Sequence, residues 1–251
     1  MSEAGRLLVT LCTYNERGNL PELIPEIWRF APAADVLVID DNSPDGTGLA
    51  ADEWAARDAR VHVLHRPGKL GLGTATLAGL QYAVEHDYAL VINLDADFSH
   101  PPRYIPALLA LMDRADVVIG SRYVAGGGVV GWGLRRHFMS RAINCYARVL
   151  LRLATRDNSG AYRCYRVAKM RELDFNRFVA RGYAIQEEIL YRCRRIACRF
   201  AETPIIFEER RHGSSKINLA ESIAACWIIF RVAFSSLFGK QNETKCAAGR
   251  D

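Results

Sequence analysis

Short apolar, β-branched runs alternate with amphipathic stretches through the first half of the chain. Runs over Arg6–Cys12, Asp35–Asp40, Val61–His65, Tyr88–Asp95 and Asp116–Ser121 predict strands. Between them, Asn19–Phe30, Thr47–Arg57, Gly73–His86 and Pro101–Arg114 have helical spacing, three of them opening on Asn, Thr or Pro start signals. This alternation is the βαβ pattern of a doubly wound, mostly parallel α/β sheet with helices on both faces. The runs V-L-V-I-D and A-L-V-I-N-L-D stay apolar and then end on acids. Strands covered on both faces, with carboxyl ends opening into a ligand crevice, have that pattern. It puts Asp40, Asp41, Asp95 and Asp97 along one edge.

After Ser121 the alternation stops. Helices are predicted over Arg136–Ala154 and Ala184–Arg195, and strands near Ala161–Arg166 and Phe200–Phe207. Five glycines in G-G-G-V-V-G-W-G (126–133) predict a flexible loop, a candidate lid. Ser222–Phe238 carries a single charge, Arg231, and falls short of the ~20 apolar residues of a spanning helix. An interfacial or packing helix is expected there. The expected organisation is one main domain over residues 1–216, an amphipathic C-terminal helix over 217–238, and a polar, disordered tail over 239–251.

Composition adds two constraints. With 251 residues, 50% apolar and 24% charged, the chain has the balance of an ordinary soluble globular protein, which excludes disorder, collagen and coiled coil. The net charge of +5 hides a division. Residues 1–120 carry 9 Lys/Arg against 17 Asp/Glu, and residues 121–251 carry 24 against 11. An acidic half suits a metal-dependent site; a basic half suits phosphate, nucleic acid or an anionic membrane. The seven cysteines show neither a C-x-x-C pair nor zinc-ligand spacing, and are expected to be reduced core thiols of a cytosolic protein. The first residues lack the pattern of a signal peptide, so a cytoplasmic location is expected.

Asp95-Ala96-Asp97 closes a predicted buried strand. In extended chain, residues i and i+2 point the same way, so both carboxylates can face one cation, magnesium or manganese, bridged to substrate phosphates. Solvated turn acids are the bland alternative. An aspartyl-phosphate phosphatase carries its D-x-D on the first strand, and here Asp40-Asp41 lies on an earlier one. Asp40-Asp41-Asn42-Ser43-Pro44-Asp45-Gly46-Thr47 reads either as a turn and N-cap or as acids contacting a ribose or base. Gly68-Lys69-Leu70-Gly71-Leu72-Gly73 lacks P-loop spacing, which disfavours a nucleoside triphosphatase. Arg122, Arg135, Arg136 and Arg141 cluster around the glycine loop, either solvated or clamping phosphate oxygens. Arg210 and Lys216 lie six residues apart across a glycine turn and read as a phosphate-binding loop.

Taken in order, L-C-T-Y-N-E (11–16), D-D-N-S-P-D-G-T (40–47), R-x-G-K-L-G-L-G (66–73), D-A-D-F-S-H-P-P (95–102), G-S-R-Y (120–123) and R-R-H-G-S-S-K (210–216) resemble the polyprenol-phosphate sugar synthases of glycosyltransferase family 2. The resemblance runs over roughly residues 6–235. It implies a GT-A type fold and an inverting transferase that moves a sugar, mannose from GDP-mannose in the nearest type, onto a dolichyl-type polyprenyl phosphate at the cytosolic membrane face. It further implies that Cys12, Tyr14, Glu16, Asp40 and Asp41 surround the nucleotide. Asp95, Ala96 and Asp97 match the nucleotide-sugar and metal motif, with Ser99 where some members place a Gln metal ligand. Arg122 matches a phosphate-contacting arginine, Arg136 and Ser140 resemble acceptor-phosphate ligands, and Arg210 and Lys216 match the pair that closes over the donor. Cys12 stands where the family usually has Pro.

Other readings stay open at this point. A UDP-sugar such as UDP-glucose could serve as donor on the same lipid, and a non-catalytic nucleotide-sugar binding protein would share the fold. Nucleic acid is not expected as a partner, since no binding module and no aromatic-interleaved basic patch is present.

Overall fold

The computed structural model describes residues 5–208 and 219–238. Strands β1 (Leu7–Thr13), β2 (Asp35–Asp40), β3 (Val61–His65), β4 (Leu90–Asp95), β5 (Val117–Ser121), β6 (Gly128–Val129), β7 (Arg163–Arg166), β8 (Phe200–Pro204) and β9 (Ile206–Phe207) form two sheets. The large one has the order β3-β2-β1-β4-β7-β5-β8, and β6 pairs with β9 in a small one. In the large sheet only β7 runs antiparallel to its neighbours. The helices are α1 (Leu20–Phe30), α2 (Thr47–Arg57), α3 (Leu72–Glu85), α4 (Ile105–Ala110), α5 (Leu134–Leu150), α6 (Val167–Met170), α7 (Ile185–Arg195) and α8 (Leu219–Phe238).

Period-two alternation sends strand residues to opposite faces. Val9, Leu11, Val36 and Val38 meet Leu20, Leu23, Ile24 and Ile27 of α1 on one face, whereas Leu8, Leu37 and Ile39 meet Leu80 and Ala83 of α3 and Ile189 of α7 on the other. Each such Leu or Ile side chain, fully buried, contributes about 1.5–3 kcal/mol. Because both faces are covered, only strand ends can carry chemistry. The chain moves outward from β1 to β3 and returns through α3 to β4, so the order reverses between β1 and β4. That reversal is where sheets of this kind open a crevice at their carboxyl ends, and there Cys12 is in register with Asp95.

The structure departs from the sequence reading in five places. Pro101–Arg114 is not one helix: a 3₁₀ turn at Pro102–Tyr104 leads into a six-residue α4, followed by turns. The helix expected over Arg136–Ala154 starts and stops earlier, as α5, with Arg152 in the left-handed region at φ 53°. The strand expected over Phe200–Phe207 is divided after Pro204, and its two parts join different sheets. The glycine stretch is held rather than free, since Gly128 N–H donates to Ile205 O and Val130 N–H to Phe207 O. A side chain at Gly127 would meet Ser121 O at 2.4 Å, so glycine there permits a close backbone approach. Among the cysteines, Cys164, Cys193 and Cys198 are buried, but Cys145 is exposed, Cys12 and Cys226 are half-buried, and Cys246 lies outside the described residues.

Candidate active site

The crevice has two walls. On the first, the turn after β2 is built by its own side chains. Asp40 accepts from Thr13 Oγ1 at 3.0 Å and from the backbone N–H and hydroxyl of Ser43. Its carboxylate is therefore engaged in holding the turn. Asp41 is buried, and its Oδ1 lies 2.8 Å from Nη1 of buried Arg66 without an aligned hydrogen bond for either atom. Burial raises the Asp41 pKa above the usual carboxylate range, against the pull of Arg66. Asp41 and Arg66 thus form a buried ion pair at the sheet edge, each compensating the other's charge.

Tyr14 lies on the same wall, with Lys69 Nζ 4.4 Å from its ring centre. Glu16 is drawn toward α1, accepting from Asn19 Nδ2 at 2.6 Å. The Cys12 thiol, pushed up to about 12 by burial, is protonated at neutral pH and inert as a nucleophile. Gly71 and Gly73 let the 180–181 backbone approach the start of α3: Gly73 N–H donates to Arg181 O at 2.8 Å, and a Cβ at Gly71 would lie 2.6 Å from that oxygen.

At the end of β4 the acids sit differently from the extended-chain expectation. The strand stops at Asp95, and Phe98 takes a left-handed φ of 65°. Asp97 is thus on a turn. Ser99, fully buried, donates both its N–H, at 3.0 Å, and its hydroxyl to Asp97 Oδ1. Ser99 therefore orients Asp97 by donating to it. His100 Nδ1 accepts the Asp95 N–H at 3.2 Å, and burial lowers its pKa, so the ring is a neutral imidazole despite Asp95 Oδ2 at 3.3 Å. Among the described residues, no three His, Cys, Asp or Glu side chains gather as a metal cage. Two carboxylates on one turn fit a hard cation that takes its other oxygens from phosphate and water.

The second wall is cationic. Arg122, at the end of β5, is buried and clamped by fully buried Asp157: its N–H, Nε and Nη2 reach the carboxylate at 2.9, 2.7 and 2.6 Å. Burial would push the Asp157 carboxyl up, yet Arg122 holds it below the usual range. Nη2 also donates to Ser159 Oγ at 3.0 Å, so of the Arg122 side-chain nitrogens Nη1 alone makes no hydrogen bond to a described residue. Tyr123, Trp132 and Phe207 ring the guanidinium with centres 5.3–5.7 Å away. Arg136 stacks on Trp132 at 4.1 Å, and Tyr123 donates to Ser140 Oγ at 2.7 Å. The structure thereby joins Arg122, at the end of β5, with Arg136 and Ser140 of α5, two segments separated in the sequence by the glycine stretch.

Sequence reasoning missed the support for this wall. Asn144 on α5 accepts from Asn158 N–H at 2.6 Å and donates to Ser159 at 2.9 Å, fixing the 157–160 loop. Buried Arg163 donates to Asn158 O and Gln186 O, both at 2.6 Å. Glu187 at the start of α7 is buried with Oε2 unpaired, and burial lifts its carboxyl to about 7. D-N-S-G (157–160) and Q-E-E (186–188) are ordinary polar strings in the sequence, and only tertiary packing buries them. Arg210 and Lys216 lie outside the described residues. The chain reaches them from Glu208, whose N–H donates to Ser99 O at 3.2 Å beside the acid turn.

A mostly parallel α/β sheet with acids at its reversal point and a cationic wall beside them is an arrangement suited to phosphorylated ligands. The sequence pattern of glycosyl transferase family 2 matches residues 8–174, and the chain belongs to that family. It is 43% identical over 213 residues to an undecaprenyl-phosphate mannosyltransferase of Micrococcus luteus, covering 85% of this chain and 88% of that one. It is 42% identical over 245 residues to a polyprenol monophosphomannose synthase of Mycolicibacterium smegmatis, covering 96% and 90%. Among solved structures, glucosyl-3-phosphoglycerate synthase of Mycobacterium tuberculosis, in complex with Mn2+, UDP and glucosyl-3-phosphoglycerate, has the same fold, with a TM-score of 0.64 at 18% identity over 92% of this chain and 79% of that one.

Proposed function

We infer that this protein is a polyprenyl-phosphate mannosyltransferase, taking mannose from GDP-mannose and joining it to the phosphate of a polyprenyl lipid. The observation that carries the reading is its likeness, across most of the chain, to two relatives whose names give mannosyl transfer to a polyprenyl phosphate, the GDP-linked donor being our own addition. The geometry supports it, because an acidic turn and a cationic wall are what a donor diphosphate and an acceptor phosphate require side by side.

The acceptor is a phosphate monoester, anionic near neutral pH, so its oxygen attacks the anomeric carbon without a general base. The bond from that carbon to the donor phosphate breaks on the opposite face, and the configuration inverts. Protein groups position two anions that repel each other. Arg122, held rigid by Asp157, offers Nη1 to the acceptor phosphate, with Arg136 and Ser140 beside it. Asp41, Arg66 and Tyr14 serve the nucleoside. Asp95 and Asp97 would hold a divalent cation, magnesium or manganese, which would supply charge neutralisation for the diphosphate. The family pattern assigns Arg210 and Lys216, outside the described residues, to the same diphosphate. The catalytic unit is the domain over residues 1–216. Among the described residues no helix is long and apolar enough to cross a membrane, and the protein works at the membrane surface through peripheral contact.

Incubation with a short polyprenyl phosphate and magnesium, offering GDP-mannose or UDP-glucose, tests this by mass spectrometry of the lipid. A hexosyl polyprenyl phosphate is expected from GDP-mannose; product from UDP-glucose alone would refute the donor, and none from either would refute the transfer.

A further inference from the structure

Helix α7 ends in a left-handed turn that is closed by two cysteines. Ala197 takes a φ of 56°, and its N–H donates to Arg194 O at 3.1 Å. Cys198 N–H reaches further back, to Cys193 O at 3.0 Å. This pair of bonds is the usual way of stopping a helix at a left-handed residue, and the outer one sets the first and last residues of the turn side by side. Apolar side chains ordinarily meet across it. Here two thiols meet, and they hydrogen-bond to each other.

The two sulfurs are not equivalent. Cys193 is fully buried, whereas Cys198 keeps 7% of its surface open, near Lys169 and Glu172. Their shared hydrogen bond holds the Cys193 thiol, the donor, above the usual range and draws Cys198, the acceptor, below it. The thiolate, which is the reactive form, therefore sits on the sulfur nearer to water. Burial instead pushes up the Cys164 thiol of β7 and leaves it protonated. Two residues after Cys198, β8 begins against Val117 at the amino end of β5, whereas Arg122 follows the carboxyl end of β5. The cysteine pair thus stands across the sheet from the crevice, and its chemistry does not depend on the transfer reading.

We propose that Cys193 and Cys198, set together by the turn at the end of α7, are a reversible dithiol–disulfide site oxidised by hydroperoxides. The Cys198 thiolate attacks one peroxide oxygen; an S–O bond forms, the O–O bond breaks, and the departing hydroxide takes a proton from solvent. The Cys193 sulfur then attacks the Cys198 sulfur; the S–S bond forms, the S–O bond breaks, and the Cys193 proton leaves with the hydroxide as a second water. The two thiols lose two electrons and the peroxide gains them. A disulfide asks for Cα atoms about 4.4–6.8 Å apart, and the backbone bond from Cys198 to Cys193 supplies that proximity before any oxidation.

The test is treatment of the folded full chain with equimolar hydrogen peroxide, capping of free thiols with N-ethylmaleimide in urea, and mass spectrometry of the tryptic peptides. Arg192, Arg194, Arg195 and Arg199 put the two cysteines on separate peptides. The disulfide is expected as residues 193–194 joined to residues 196–199, lighter than their sum by two hydrogen atoms and parted by dithiothreitol. Either Cys193→Ser or Cys198→Ser should abolish the joined product. In Cys193→Ser, dimedone should trap a sulfenic acid on Cys198, and in Cys198→Ser it should trap none on Cys193. The oxidised wild type should also unfold a few degrees above the reduced form, because the bridge closes a turn that is already made. Absence of the joined peptides, their formation only when the oxidation is carried out in urea, or a dimedone adduct on Cys193 in place of Cys198 would each overturn the proposal.

Discussion

Arg122 and Asp157 are an ion pair with almost no access to water, and burial of this kind makes the two groups dependent on each other. Removing one charge strands the other. Asp157→Asn is expected to cost about 3–5 kcal/mol of stability, read by urea unfolding, and to abolish turnover because the guanidinium loses its fixed direction. A stable, active variant would mean that Arg122 is oriented by something else. Glu187 gives a pH signature of opposite origin. Its carboxyl rises from an ordinary 4.5 to about 7, so between those values the folded chain holds a proton that the unfolded chain releases. Stability therefore falls as pH rises from about 4.5 through about 7, by roughly 3 kcal/mol from this group if all of the shift is expressed. Glu187→Gln should flatten that slope and be the more stable protein at pH 8. A parallel slope in both proteins would assign the effect elsewhere. At the acid turn, Asp97→Asn should leave the unfolding midpoint within about 1 kcal/mol of wild type and remove metal-dependent turnover. Turnover that persisted and still responded to magnesium would contradict the metal role of Asp97.

Among the elements, the turn at 68–73 separates conformational from chemical demands on glycine. Gly71 has a φ of 97° and no room for a Cβ, whereas Gly68 has nothing within 4 Å of one. Gly71→Ala should destabilise by about 1–3 kcal/mol and Gly68→Ala by less than about 0.5 kcal/mol. Matched thermal melts check the pair, and equal shifts would contradict the close approach of Arg181. The same scale shows what a sequence can and cannot disclose. The five parallel strands β1 to β5 are legible because burial on both faces leaves continuous apolar runs, and Asp41, Asp95 and Asp97 are legible because acids end those runs. Pro204 hides a change of sheet inside one apolar run, and the glycine stretch at 126–133 hides a strand pairing that depends on a segment almost eighty residues later. His100 stands inside a motif that the sequence exposes, yet its neutrality follows from burial that only the fold creates. Asp157 gives no local signal, because its partner is thirty-five residues away and its burial is tertiary.

At the scale of the molecule, the charge division follows the division of labour. The acidic half ends its strands at Asp41, Asp95 and the turn of Asp97, and the basic half contributes Arg122 and α5. Two anions held together in a crevice of mixed charge should respond to ionic strength through the acceptor more than through the donor. The KM for a short polyprenyl phosphate is expected to rise between 50 and 500 mM salt with kcat almost constant, and a change confined to kcat would contradict binding by the cationic wall. The central claim is that the nucleophile is a phosphate. It is tested most directly by following GDP release from GDP-mannose with a short polyprenyl phosphate or with the corresponding free polyprenol, at equal concentration and with magnesium present. Release that requires the phosphate is the predicted result; equal release with the alcohol would contradict the account.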